Sequence, residues 1–129
     1  MISIGFIVLA AISNAIMDNV LFHYYKSIFK NSRFEQWSNA DISWMNKWKN
    51  GDITQGERFP FSSTIFVWTT DLWHFAQSLM ITFFVLAAIF YSPTISFDNY
   101  IIEVVVSLVV LKATFSLTFE LFLSKILVK

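Results

Sequence analysis

Apolar residues along this chain gather into three long runs, separated by one polar-rich loop and one short turn. The first run, about residues 2–23, carries no charge before Asp18. Its length suits the ~20 residues a helix needs to cross a hydrocarbon core of ~30 Å. The second run follows Pro60 and reads as a span over about 62–91, interrupted only by Asp71 and His74. At ~1.5 Å per residue such a helix exceeds the bilayer, so part of it must tilt or project. Trp68, Trp73 and Tyr91 mark the expected interfaces, because amphipathic rings favour the headgroup level. The third run covers about 99–127 and holds Glu103, Lys112 and Glu120. Pro93 and its polar neighbours supply the turn before it. The pattern predicts an all-α fold: a single integral membrane domain over residues 1–129, a three-helix bundle whose long loop covers about 24–60.

That loop does not read as a flexible linker. Ser38-Asn39-Ala40-Asp41 resembles a capping box, with Asp41 in the usual Glu/Gln role. A short helix would follow to Lys49, and Asn50-Gly51 would end it in a left-handed conformation. Trp44 and Trp48 fall one turn apart, with Ile42 and Met45 nearby. This is the pattern of an amphipathic helix in the headgroup layer, either anchoring the loop or covering a site beneath it. Turns at Gly51-Asp52, Gly56 and Pro60 precede Ser62 or Ser63, the expected cap of the second span.

Charge orients the chain. Lys26, Lys30, Arg33, Lys47, Lys49, Arg58, Lys125 and Lys129 all fall in the loop or near the C-terminus, and the opposite side has no Lys or Arg. The positive-inside rule makes the loop and C-terminus cytoplasmic and leaves the N-terminus outside. A cleavable signal is the rival for the first run, with Ser13-Asn14-Ala15 loosely like a cleavage site, but a signal opens on positive residues and none precedes Lys26.

Composition agrees with a membrane setting. Apolar residues make up 56% and charged ones 14%, and fifteen Phe with five Trp would overfill a small aqueous core. Zero formal charge gives no reason to expect a nucleic-acid partner. The absence of cysteine removes disulfides, thiolate metal sites and cysteine nucleophiles.

The chemistry lies in the few ionisable groups inside the runs, which are costly at that depth. Threaded through a bilayer, Asp18, His23, Asp71, His74 and Glu120 all fall near the cytoplasmic face. Helical spacing places Asn14 with Asp18, Asn19 with His23, and Lys112 with Ser116 and Glu120, each at i, i+4. Thr64, Asp71, Ser78 and Thr82 fall in a stripe roughly 40° wide. Three such stripes can meet inside a bundle. Carboxylates and imidazoles at one level suit a divalent metal such as Zn, Mn, Mg or Fe, with Asp18, His23, Asp71, His74 and Glu120 as ligands. Asp71, His74 and Glu120 are equally the groups for acid–base catalysis on a lipid headgroup. Haem held between His23 and His74 is the less favoured alternative. Against these stands plain polar packing between helices. Lys112 falls near mid-bilayer, with Glu103 almost opposite it on the helix, and needs either a water-filled cavity or an acid from another span or subunit, Asp18 being the expected acid.

The segment Ser43-Trp44-Met45-Asn46-Lys47-Trp48-Lys49-Asn50-Gly51-Asp52, followed by Gly56-Glu57-Arg58-Phe59-Pro60 and by Ser62-Ser63-Thr64 through Thr70-Asp71-Leu72-Trp73-His74, resembles a stretch in small three-span membrane proteins of Bacteroidetes-type bacteria and their phages. The resemblance covers residues 43–74 and implies a bacterial or phage-encoded protein of the inner membrane. No activity comes with it.

No phosphate-binding glycine loop, Gly-x-Ser-x-Gly or His-Glu-x-x-His occurs. The sequence therefore predicts a small integral membrane protein with a cytoplasm-side Asp/His/Glu site near lipid headgroups. It leaves enzyme and non-enzyme readings open, the latter a holin-like pore, a scaffold or an accessory subunit. So short a bundle predicts a homo-oligomer.

Overall fold

Three helices of the computed structural model are long and apolar enough to cross a membrane: Ile2–Phe22, Leu72–Ile89, and Tyr100–Phe122 with the π-helical turn that continues it to Leu127. The structure describes residues 2–93 and 95–129, and among these it is all-helical, with no strand and only two isolated bridges. We label the helices α1 (Ile2–Phe22), α2 (Glu35–Ser38), α3 (Ala40–Ser43), α4 (Leu72–Ile89) and α5 (Tyr100–Phe122).

α1 contacts both other long helices. Its inward face is built of small residues: Ala10, Ala11 and Ala15 are fully buried and Ser3 and Ser13 nearly so. Ser13 returns its hydroxyl to the Leu9 carbonyl at 2.9 Å, which satisfies it within the helix. Ala76 and Ala87 of α4 and Ser107 of α5 are likewise buried, so backbones approach through small side chains. Aromatic rings fill the margins, with Phe6 stacked on Phe83 and Phe90 at 6.4 and 5.8 Å, and Phe84 on Phe115 at 5.7 Å. The large apolar residues point outward instead, among them Ile2, Phe22, Ile81, Ile89, Leu108 and Leu117. A soluble domain buries such side chains; here the exterior is apolar over three helices.

The second span begins about ten residues later than its apolar run suggested. Residues 62–71, read as part of that span, form turns and a 3-10 segment at Val67–Thr69. Phe61 is left-handed at φ 63°, and the Thr69 and Thr70 hydroxyls bond back to Phe66 and Val67 carbonyls, so the backbone is committed to turns. Asp71, not Ser62 or Ser63, caps the helix, accepting from the His74 amide. Ser62 is buried and gives its hydroxyl to the Lys47 carbonyl at 2.7 Å.

The loop departs from a single amphipathic helix in a related way. Asn39, one residue after the expected Ser38, is the cap, its side chain accepting from the Asp41 amide. The chain then passes from α3 into a 3-10 segment at Trp44–Lys47 and straightens at Trp48, which bridges Glu57. Asn50 and Gly51 do turn left-handed, at φ 51° and 76°. The loop also meets the C-terminus: Ile28 donates to the Leu127 carbonyl at 3.0 Å and Lys129 to the Lys26 carbonyl at 2.8 Å. Both segments rich in Lys and Arg therefore sit at one end of the helices, away from the α4–α5 turn.

Candidate functional site

The first turn of α4 is held from three directions by the folded loop. Asn46 donates to the Thr70 carbonyl at 2.9 Å and to Gln36 at 2.8 Å, while the Trp37 indole donates to the Thr69 carbonyl at 3.3 Å. Trp37 and Trp68 both lie against Phe75. These contacts fix the backbone on which Asp71 and His74 stand.

Asp71 is 3% exposed and extended (φ −154°), the conformation a capping residue needs. Its Oδ1 accepts the His74 amide at 2.9 Å. The His74 ring then folds back so that Nδ1 lies 2.8 and 2.7 Å from the two carboxylate oxygens, with the Thr70 hydroxyl, whose proton goes to the Val67 carbonyl, 3.2 Å from Oδ2. An ionised carboxylate only accepts, so Nδ1 carries a proton and the ring's other nitrogen, Nε2, is left for chemistry. The His74 side chain remains 24% exposed, against 4% for Asp71. A buried acid that orients a partly open imidazole is the arrangement used to fix a histidine base or metal ligand.

His74 borders a small groove of about 140 Å³ between the start of α4 and the loop, shared with Ser43, Trp44, Lys47 and Trp73. The edge of Trp73 meets the His74 ring at 4.9 Å. Lys47 lines the same groove, which sequence spacing had joined only to acids and histidines. Nothing periodic links residue 47 to residue 74, because a non-repeating loop fold makes the juxtaposition.

The other expected ligands lie elsewhere. Asp18 and His23 form their own pair at 3.7 Å, with side chains 31% and 43% exposed. Glu120 is on the exposed face of α5. Among the described residues no group of three or more His, Cys, Asp or Glu is gathered as a metal site. The stripes also diverge. Thr64 and Asp71 precede α4, while Lys112, Ser116 and Glu120 all face outward from α5. Neither Lys112 nor Glu120 has an ion-pair partner among the described residues. Asn19, by contrast, is fully buried with both amide atoms unpartnered among the described residues.

Outside the long helices two carboxyls shape the loop. Ser63 donates hydroxyl and amide to Glu57 and Phe61 adds its amide, which together hold the Glu57 carboxyl below its usual range. Thr54 and Gln55 do the same for Asp52. The hydrogen bond from Tyr25 to Asp41, at 2.7 Å, raises the Tyr25 phenol.

No family model matches this chain, and neither the curated proteins nor the solved structures compared with it provide a match.

Proposed function

We propose that this is a three-span integral membrane protein, loop and C-terminus cytoplasmic, whose Asp71–His74 pair engages an anionic, hydroxyl-bearing lipid headgroup. The carrying observation is the buried Asp71 carboxylate gripping His74 Nδ1 beside a groove that Lys47 also lines. In this reading the long helices form a bundle around α1. The loop, with Trp44 and Trp73 at the groove, rests at headgroup depth, where such rings are favoured. Lys47 takes the lipid phosphate, and His74 Nε2 accepts from the headgroup hydroxyl. An imidazole so placed orients that hydroxyl, with Asp71 holding the ring so that Nε2 stays the acceptor. Glu120 stands outside the groove and has no part in this step. In a metal-bridged variant of the same contact His74 Nε2 would hold the metal, with Asp71 fixing the ring and the metal supplying positive charge for the phosphate.

The test uses the full chain in dodecyl maltoside micelles doped with acyl-brominated lipids, reading quenching of tryptophan fluorescence. Brominated phosphatidylglycerol should quench several-fold more effectively than phosphatidylcholine. Lys47→Gln and His74→Gln should each reduce that preference. EDTA abolishes it only for the metal-bridged contact. Equal quenching by the two lipids in the wild type would remove the proposal.

A further inference from the structure

The outward face of α5 is where a membrane reading meets its largest unpaid charge. Only 6% of the third span's apolar window is buried inside the structure, against 44% for α1. On a helix of ~100° per residue, Ile101, Val105, Leu108, Lys112 and Ser116 fall within roughly 80° of one another, and Glu120 extends the edge. All six are exposed. Lys112 lies 12 residues from Tyr100 and 15 from Leu127, roughly 18 and 22 Å from the two ends. With the span centred in a ~30 Å core, Lys112 still lies about 13 and 17 Å from the two boundaries, beyond the roughly 6 Å stem of a lysine.

The chain offers no acid at that level. Glu103 and Glu120 are roughly 13 and 12 Å away along the axis of the same helix. Asp71 precedes α4 at the loop end, and Asp18, one turn from the end of α1, is already paired with His23. A second copy meeting α5 face to face about a two-fold axis along the membrane normal would set Lys112 against Lys112. Charge complementarity therefore points away from self-association through this face.

We infer that the α5 face formed by Val105, Leu108, Lys112 and Ser116 docks a transmembrane helix of a different polypeptide, one that carries a buried Asp or Glu at the level of Lys112. Ion pairing removes the cost of both charges in hydrocarbon, and neither helix is then stable in its place without the other. Val105, Leu108 and Ser116 supply the close apolar and small-residue contact around the pair. Glu120, two turns nearer the loop end, selects partners that add a hydrogen-bond donor there.

This inference depends on the long helices spanning the bilayer and is independent of the Asp71–His74 groove. Resistance of the reconstituted chain to alkaline extraction checks the spans by themselves. The docking test reconstitutes the full chain, labelled with a donor fluorophore, in phosphatidylcholine vesicles with acceptor-labelled Leu/Ala transmembrane peptides. One peptide has a single central Glu, and its control has Leu there. Energy transfer should give an association about tenfold tighter for the Glu peptide. Lys112→Met should abolish that difference, and Lys112→Arg should preserve it. Equal association with both peptides overturns the inference, as does self-association of the chain that Lys112→Met eliminates.

Discussion

Replacing Asp71 separates its two duties. Asp71→Ala removes the acceptor of the His74 amide, an N-cap worth ~1 kcal/mol. It also removes the charge-assisted contact to Nδ1, in a range of roughly 1.5–3 kcal/mol. Asp71 is only 3% exposed, so water cannot readily replace either bond. A loss of roughly 2–3 kcal/mol follows, less than the full sum because one side chain serves both contacts. Asp71→Asn behaves differently. Asparagine caps as well as aspartate does, so that duty survives. Its amide NH₂ must occupy the place of one oxygen beside Nδ1, and the imidazole accommodates it by moving its own proton to Nε2. The stability loss should stay near ~1 kcal/mol, while Nε2 becomes a donor and can no longer accept from a hydroxyl. Reversible unfolding in mixed micelles, followed by tryptophan fluorescence, compares Asp71→Ala, Asp71→Asn and Asp71→Ala/His74→Ala. In the double variant the cost of losing Asp71 should shrink toward that of the cap alone. If Asp71→Ala and Asp71→Asn destabilise equally, the cap and the hydrogen bond that asparagine retains contribute nothing and the argument fails. If Asp71→Asn keeps full preference for phosphatidylglycerol, His74 does not accept from the headgroup.

Four further outcomes are expected. Glu57 has a depressed folded pKa, so the stability it contributes is present above the ordinary carboxylate value of ~4.3 and is lost as pH falls through the folded value; protection factors of the Phe61 and Ser63 amides, corrected for the intrinsic pH dependence of exchange, should fall in acid, and Glu57→Gln should remove that pH step. Tyr25 should ionise at higher pH than free tyrosine in an absorbance titration, and Asp41→Asn should lower it again. Gly51→Ala forces a side chain into φ 76° and against Met45, at a cost of ~1 kcal/mol in the same unfolding assay. A reporter fused after Lys129 should be cytoplasmic and one inserted at Ser96 external; an external C-terminus would reverse the proposed orientation.

Run length made the first and third spans legible, because crossing a bilayer demands a stretch of apolar residues and little else. It misplaced the start of the second. Phe61, Ile65, Phe66 and Trp68 are as apolar as span residues, yet hydropathy does not distinguish a turn at the interface from a helix within the membrane. The usable signal was local: Asp71, after two threonines and three residues before His74, is a helix cap. Helical periodicity correctly aligned Lys112, Ser116 and Glu120, but it measures angle around one axis and is silent on which side a neighbour takes. That silence allowed three stripes to be drawn together when the third faces out. The Asp71–His74 pair was accessible from sequence because i, i+3 spacing at a helix start brings side chains together. The approach of Lys47 was not, because it depends on the loop's irregular path.

The long helices are unequal, and this bears on the bilayer itself. α4 has 18 residues, roughly 27 Å, a little short of a ~30 Å hydrocarbon core. The third span has 28 residues, roughly 42 Å if wholly helical, well beyond it. In the proposed spanning arrangement, lipids along α4 would thin, whereas those along α5 would thicken unless that helix leaned. Each ångström of mismatch costs a fraction of a kcal/mol. The protein thus presents a wedge to its surroundings, a short wall on one flank and a tall one on the other. In a bilayer such a wedge would favour lipids of different acyl length on its two sides, and changing bilayer thickness should tilt α5 far more than α1 or α4.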